Sequence, residues 1–104
     1  MWRRFVVPAY PNRTMGTVRD NAPLHRFELD LDGGLGFVTY RRVAGVVTLL
    51  HAEVPAALNG RGYGSRLVRG TLDLLRAEGA RVVPVCPFIS TFIERNPAYR
   101  DLLA

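Results

Sequence analysis

The sequence contains no lysine, since all 14 of its basic residues are arginine, and it has only one cysteine in 104 residues. A P-loop needs a lysine beside its last glycine, so nucleotide binding of that kind is excluded. A single cysteine rules out an internal disulfide framework and fits a reducing compartment. Acidic residues number nine, which leaves a formal net charge of +5. This excess favours an anionic partner, whether a phosphorylated ligand, a nucleic acid or an acidic protein.

Long apolar runs are also missing. The first, Phe5 to Val7, ends at Pro8 and is too short for a signal peptide, and no other run is long enough to span a membrane. We therefore expect a soluble cytoplasmic protein without a membrane partner. The length and a hydrophobic content of 48% fit one compact domain. Residues 1–17 lack periodicity and predict an irregular arm, whereas residues 18–104 predict the folded domain. The two histidines and one cysteine are far apart in sequence and predict no metal site.

The first half of the domain has the patterns of three strands. Polar and apolar residues alternate from His25 to Leu31, and Asp32-Gly33-Gly34 follows as a hairpin turn before a second strand, Leu35 to Tyr40. A second turn, Arg41 to Gly45, leads into Val46 to Glu53, which is apolar enough for a central strand covered on both faces. The pattern predicts a three-stranded antiparallel meander.

The second half predicts a helix, one more strand and two short helices. The helix from about Gly62 to Glu78 has an apolar stripe and ends at Gly79, and its opposite stripe is predicted to be a solvated face. The apolar positions are Leu67, Val68, Thr71, Leu72, Leu74 and Leu75, and the polar ones are Arg66, Arg69, Asp73 and Arg76. A strand, Arg81 to Cys86, is reached by a helical crossover and is therefore predicted to be parallel to the preceding strand, at the end of which His51 lies. Pro87 is placed to start a helix through Phe88 and Ile93, and Asn96 is placed to cap a last one. The fold class is α/β (α+β), with a mixed antiparallel and parallel sheet.

The stretch from His51 to Arg66 joins the third strand to the long helix through a glycine-rich turn. The first N–H groups of such a helix have no partner within the helix, so they attract an anion, most often phosphate. Glycines 60, 62 and 64 allow close approach of the backbone, and arginines 61 and 66 add positive charge. The spacing does not fit the dinucleotide fingerprint of a Rossmann domain.

The turn Asn59-Gly60-Arg61-Gly62-Tyr63-Gly64 resembles the acetyl-CoA-binding turn of the GNAT N-acetyltransferases, in which Gln or Arg is usual at the first position. From His25 to Leu103 the chain is similar to a short single-domain GNAT-like subfamily, through four blocks in the same order. These blocks are His51-Ala52-Glu53-Val54-Pro55, Gly60-Arg61-Gly62, Pro84-Val85-Cys86-Pro87-Phe88 and Asn96-Pro97-Ala98-Tyr99. The chain departs from the subfamily at Ala52 (usually Thr), at Tyr63 (usually aliphatic), and at Asn96 and Ala98 (usually His and Glu).

The resemblance implies a GNAT-like fold whose two parallel strands splay apart to admit the cofactor arm, with Pro84 suited to the splay. The alternative from the residues alone is that the strand containing Pro84 is merely an edge strand. The resemblance also implies that acetyl-CoA, or CoA, binds along the glycine turn and the strand end before it. The implied cofactor-binding residues are Ala52, Val54, Asn59, Gly60, Arg61, Gly62, Tyr63, Gly64 and Ser65.

The implied chemistry is attack of a primary amine on the acetyl thioester, which needs a base, donors for an oxyanion and an acid. Glu53 is the first candidate for the base and His51 for a second proton carrier, whereas an exposed Glu and a structural His are the ordinary alternatives. Backbone N–H groups near residues 52–54 are the oxyanion candidates. Tyr99 is the candidate acid, or else packs the last helix on the core. Cys86 is a candidate acetyl acceptor, or else a small buried hydrophobe.

Three functions from different classes remain open. The first is an acetyl-CoA-dependent N-acetyltransferase acting on a protein amine, a polyamine or a small molecule. The second is a CoA-binding module with little or no turnover, because the chain has no room for the extra strands that shape an acceptor pocket in many GNAT enzymes. The third, disfavoured by the lack of interleaved aromatic and basic residues, is a basic protein that binds nucleic acid. A homodimer could close the acceptor side in the first case.

Overall fold

The computed structural model describes residues 16–104, and these residues form one five-stranded sheet with two α-helices. The strands follow sequence order across the sheet: β1 Arg19–Asn21, β2 Arg26–Leu31, β3 Gly34–Val43, β4 Val46–Glu53 and β5 Arg81–Pro84. The first four strands are antiparallel to their neighbours, and β5 is parallel to β4. The predicted α/β class with a mixed sheet is therefore confirmed. The predicted arm, residues 1–17, lies outside the described residues except for its last two.

The α-helices are α1, Tyr63–Ala77, and α2, Pro87–Arg95, and three short 3-10 helices span Ala22–Leu24, Ala56–Leu58 and Pro97–Leu102. Helix α1 buries the apolar stripe expected from its periodicity, except that Leu74 is only partly buried. Gly79 follows α1 with a φ of +74°, which confirms the predicted left-handed end of this helix. No helix among the described residues is long and apolar enough to cross a membrane.

Strand β3 is longer than the sequence indicated. It runs to Val43, and the turn before β4 is only Ala44 and Gly45, both with positive φ. A two-residue turn of this kind matches the twist of the two strands it joins, so Arg41 and Arg42 are strand residues and not part of a turn. The predicted turn from Arg41 to Gly45 was therefore too long.

Strand β4 has the predicted bounds, but it is not covered on both faces along its whole length as predicted. Leu50, His51 and Glu53 are exposed, so the end of this strand is open to solvent on one face, and the expectation of two covered faces is wrong there. The β3–β4 register shifts between Thr39 and Tyr40, because His51 pairs with Thr39 and Leu49 with Tyr40. Leu50 is the extra residue of this bulge, and such bulges bend a strand locally.

The C-terminal segment also differs from the prediction. Residues after Asn96 form a 3-10 helix, and the Asn96 side chain does not cap it. Instead the Asn96 Nδ2 donates to the carbonyl oxygen of Phe92 at 2.8 Å, which satisfies the end of α2. Further on, Leu103 bridges to Val82 in parallel and the Ala104 N–H donates to the Val82 carbonyl at 2.9 Å. Strand β5 therefore has backbone partners on both sides at Val82.

Candidate active site

A cavity of about 430 Å³ opens between the end of β4, the loop after it and the first turn of α1. Its residues come from four consecutive pieces of chain and from the start of α2, and they are Ala52, Glu53, Val54, Leu58, Asn59, Gly60, Gly62, Tyr63, Gly64, Ser65, Leu67 and Phe88. Every residue that the sequence predicted to bind the cofactor lines this cavity except Arg61. A volume in this range is typical of sites that take a small organic molecule.

The cavity lies beyond the point at which β4 and β5 cease to pair. Their paired residues end at Leu49 and Pro84, while β4 continues for four residues to Glu53. At the separation point the N–H groups of Val85 and Cys86 both donate to the Leu49 carbonyl, at 3.0 and 3.1 Å, and the chain then turns into α2. Proline has no N–H to extend the ladder, so Pro84 is a suitable last residue for β5. Since β5 also has a partner on its other side, it is not simply an unpaired edge strand.

The glycine turn forms one side of the cavity. Its backbone has a conformation that is strained for residues other than glycine. Gly60 and Gly62 have φ values of +81° and +77°, in the left-handed region, and open space lies where their side chains would be. The backbone conformation, and not crowding, therefore requires glycine at these two positions. Gly64 is different, because a Cβ atom there would lie 3.0 Å from the Phe88 ring. The ring rests on this glycine at the cavity wall.

The N-terminus of α1 has none of the usual devices that satisfy a helix end. Its cap residue is Gly62, which has no side chain to accept a hydrogen bond, and the first turn contains no acidic residue. The first N–H groups carry the positive end of the helix dipole, and no acidic residue of the first turn offsets it. A negatively charged ligand in the cavity would supply the missing acceptors.

His51 and Glu53 lie together at the open end of β4. Two residues apart on the strand, they share one face, and the His51 Nε2 is 3.1 Å from the Glu53 Oε1. Each side chain is 58% exposed. Glu53 lines the cavity, whereas His51 lies beside it with its ring 6.4 Å from the ring of Phe37. The structure thus brings the two candidate proton carriers into contact at the mouth of the cavity.

Tyr99 lies outside the cavity. Its hydroxyl donates to the Asp73 Oδ1 of α1 at 2.8 Å, and its ring, which belongs to the C-terminal 3-10 helix, is buried 6.0 Å from the ring of Phe92 in α2. Burial, followed by the hydrogen bond to Asp73, raises the pKa of the Tyr99 hydroxyl. These contacts give Tyr99 a packing role, and they do not support its use as an acid at the cavity.

Cys86 is likewise separated from the cavity. It is 6% exposed, belongs to the hydrophobic core and immediately precedes α2. A buried thiol among apolar side chains behaves as a small hydrophobe, and its position gives no support to the role of acetyl acceptor. Among residues 16–104 there is also no cluster of three or more His, Cys, Asp or Glu side chains that could hold a metal ion.

Three apolar lining residues were not singled out as site residues from the sequence. Leu58 and Leu67 look like ordinary core residues, because they also contribute to the core. Phe88 is 48% exposed, and the sequence placed it only in the helix that Pro87 starts. Its position in the Pro-x-Cys-Pro-Phe block was the available signal, because a large aromatic side chain left in solvent often marks a binding surface.

Comparisons with known proteins agree on the family. The family model described as GCN5-related N-acetyl-transferase matches residues 26–102, which is most of the chain. Protein NATD1 of Bos taurus is 38% identical over 52 residues, covering 50% of this chain and 46% of that protein, and NATD1 of Homo sapiens is 35% identical over the same length. The chain thus spans about half the length of these relatives.

A solved structure supports the same fold. The NMR structure of a GCN5-like protein from Staphylococcus aureus superposes with a TM-score of 0.65, at 21% sequence identity, over 88% of this chain and 90% of that one. At this identity the superposition speaks for the fold alone, and the match of the family model over residues 26–102 carries the assignment. The chain belongs to the family of GCN5-related N-acetyl-transferases.

Proposed function

We propose that the protein transfers an acetyl group from acetyl-CoA to a primary amine by direct attack. The observation that carries the proposal is the cavity where β4 and β5 separate, which faces a helix N-terminus without a cap. The coenzyme supplies an activated acetyl thioester. The residues suited to hold it are the glycine turn with Ser65 and the strand end with Ala52 and Val54. The fit rests on left-handed glycines, which leave backbone N–H groups accessible to an anion.

Glu53 is the group that we propose as the base. It is the one carboxylate among the residues that line the cavity. An amine is protonated at neutral pH and must lose a proton before it can attack, and a carboxylate at the cavity mouth can accept that proton directly or through a water molecule. The His51 Nε2 lies 3.1 Å from the Glu53 Oε1 and is our candidate for the next acceptor of the proton. Backbone N–H groups of residues 52–54 are our candidates for stabilising the oxyanion.

The acceptor approaches, in this proposal, from the open face of the sheet. His51 and Glu53 are both more than half exposed, so an amine carried on a protein, a polyamine or a small molecule has access to them. The negative charge of Glu53 favours a cationic acceptor over a neutral one. The size of the acceptor is left open by this arrangement.

A calorimetric titration with acetyl-CoA and with CoA tests the proposal. Wild-type protein is expected to bind both, and Gly62→Val is expected to bind neither, because a β-branched side chain disfavours the φ of +77° and would stand in the turn. The matched control is Gly45→Val, which imposes the same strain in the β3–β4 turn, where φ is +82° and the added side chain also meets open space. Each substitution costs about 1–2 kcal/mol of stability or more. Absence of wild-type binding at millimolar coenzyme would refute the proposal.

A CoA-binding module without turnover is the second candidate function. The observation in its favour is that Tyr99, the expected acid, is committed to Asp73 away from the cavity. An acetylation assay on amine acceptors with Glu53→Gln separates the two functions. If the enzyme proposal is right, this variant still binds acetyl-CoA but loses most of its transfer rate, about 100-fold or more for removal of a general base. Binding without transfer to any acceptor class would instead favour the module.

A further inference from the structure

The two faces of the sheet differ in how they are covered. Val38 and Val82 belong to the face that packs on α1, and both are completely buried in the core. Side chains alternate along a strand, so the residues between such positions lie on the opposite face. Of the described residues on that opposite face of β2 to β5, only Glu28 is buried. Glu53 is on this open face too, because its partner Phe37 alternates with Val38.

Apolar side chains are exposed on the open face. Val43 pairs with Val46, and Thr48 pairs with Val83, so these four residues lie side by side across β3, β4 and β5 and form an apolar patch. Val43 is 65% exposed and Val83 is 37% exposed. Leu50, the extra residue of the β4 bulge, is exposed as well. A contiguous apolar area of this kind commonly marks an interaction surface.

Arg41 adds one positive charge to the apolar patch. It pairs with Thr48 across β3 and β4, its side chain is exposed, and within residues 16–104 it forms no ion pair. Strands β3 to β5 contain one carboxylate, Glu53. On the far side of the same face, Arg19 is already paired with Glu28. The charge of Arg41 is therefore complementary to an acidic group from outside the chain.

The sheet register gives the separation of Arg41 from Glu53. Phe37 pairs directly with Glu53 and lies four residues before Arg41 on β3. With a rise of about 3.4 Å per residue and about 4.8 Å between strands, the Cα atoms of Arg41 and Glu53 are roughly 15 Å apart. An extended peptide spans this distance in about four residues. A lysine and an acidic residue with that spacing can therefore contact Glu53 and Arg41 at the same time.

A polypeptide fits this surface better than a small molecule or a second copy of the chain. No residue of the patch lines the cavity at Glu53, and small molecules prefer concave sites that enclose most of their surface. In a symmetric dimer centred on the patch, the two Arg41 side chains would meet as like charges. A protein segment with apolar and acidic side chains matches both the patch and its charge.

We infer that the open face docks a protein acceptor, whose apolar side chains cover the patch and whose carboxylate pairs with Arg41 while its lysine reaches Glu53. This inference rests on the proposed function and names the acceptor class that the proposed function leaves open. The lysine ammonium gives one proton to Glu53, and its Nζ then forms an amide bond with the acetyl carbon as the carbon–sulfur bond breaks. A second proton passes from the nitrogen to the leaving thiolate, so the products are an acetylated lysine and free CoA.

Acetyl transfer to two blocked synthetic peptides tests the inference. Each peptide has one central lysine, an ionic residue four positions away on either side, and a leucine beyond it. The ionic residue is glutamate in one peptide and arginine in the other. We expect the kcat/KM of wild-type protein to be about fivefold higher for the glutamate peptide, mostly through KM. Arg41→Glu should invert this preference, which a loss of folding or of general activity would not do.

Two further variants separate charge from apolar contact. Arg95→Glu makes the same charge change at an exposed residue in the last turn of α2 and should keep the wild-type preference. The double variant Val43→Thr and Val83→Thr keeps the β-branched shape of both side chains. It should raise the KM for the glutamate peptide about fivefold, with little change of kcat. Equal use of the two peptides by wild-type protein would overturn the inference, as would an equal change of preference in Arg95→Glu.

Butylamine and sedimentation cover the other possible ligands of the face. Transfer to butylamine as efficient as transfer to the glutamate peptide would overturn the inference and leave the proposed function intact. Wild-type protein is expected to sediment as a monomer. A dimer that Arg41→Glu dissociates would instead assign the open face to an interface between copies of the chain and overturn the inference. Absence of transfer to every acceptor would refute the proposed function together with it.

Discussion

Gly70 is the point at which the start of the described chain packs on helix α1, and Gly70→Ala tests how firmly that segment is held. A Cβ atom at this position would lie 2.4 Å from the Val18 Cγ2 and 2.9 Å from the Val18 Cβ. Val18 is 7% exposed and belongs to the hydrophobic core. The substitution therefore sets the gain of a better helix former against a clash with a buried, stiff side chain.

The sizes of these two effects decide whether Gly70→Ala raises or lowers the free energy of unfolding. Replacing Gly by Ala in a helix interior contributes about 1 kcal/mol in favour of folding. Carbon atoms prefer separations of roughly 3.5–4.0 Å, so Val18 must move by more than an ångström, and overpacking of this kind typically costs about 1–3 kcal/mol. If Val18 leaves the helix altogether, the lost burial costs roughly 1.5–3 kcal/mol, which sets a similar upper limit. We expect Gly70→Ala to lower the free energy of unfolding by about 1 kcal/mol.

Urea denaturation followed by circular dichroism measures this change, provided that the m-value stays constant. The control is the same substitution in a Val18→Gly background, where both clashing carbons are gone. There Gly70→Ala should become stabilising, by about 1 kcal/mol, so the double-mutant cycle should give a coupling of about 2 kcal/mol. A gain of stability from Gly70→Ala alone would show that Val18 is not held on α1. It would also argue against the prediction that the folded domain starts at residue 18.

Three further substitutions have defined outcomes. Burial opposes ionisation of Glu28, but hydrogen bonds from Arg26 and Asn21 outweigh it and lower the pKa of the carboxyl, so stability should be lost as the pH falls below roughly 4. Glu28→Gln should flatten that loss and cost about 1–3 kcal/mol at pH 7 in urea denaturation. Tyr99→Phe should cost about 1 kcal/mol by the same assay and leave the transfer rate unchanged, whereas a fall in rate would restore Tyr99 as the acid. Cys86→Ala should also transfer acetyl groups at the wild-type rate, and mass spectrometry should find no acetyl group on the wild-type thiol.

The elements that the sequence predicted well are those whose signal is local. Strand β4 and helix α1 have the expected positions. The long apolar run predicts a strand and the 3.6-residue period predicts a helix, and neither pattern depends on the rest of the chain. The glycine turn could be located for the same reason, since positive φ at Gly60 and Gly62 depends on the residue itself. The side of the cavity that the glycine turn forms could therefore be predicted before the fold was known.

The missed features depend on partners distant in sequence. Strand β1 has only three polar residues and no alternation, and it is held by pairing with β2 and by the ion pairs of Arg19 with Glu28 and Asp30. Such a strand has no pattern of its own to detect. The choice between the two roles of Tyr99, acid or packing residue, could not be made from the sequence for a related reason. Its partner, Asp73, is 26 residues earlier, so only the packed structure shows that its hydroxyl is already used.

The arginine stripe of α1 shows what kind of information the sequence lacked. The pattern predicted one solvated face, and Arg69 and Arg76 have equivalent places in it. In the structure Arg76 is bound to Asp101 at 2.8 Å and to the Ala98 carbonyl at 2.7 Å, and so it fastens the C-terminal segment to the helix. Arg69, two turns earlier, faces α2 and a cavity without a carboxylate. Arginines on one helix face therefore have different surroundings according to which element packs beside each of them, and the tertiary fold decides which element that is.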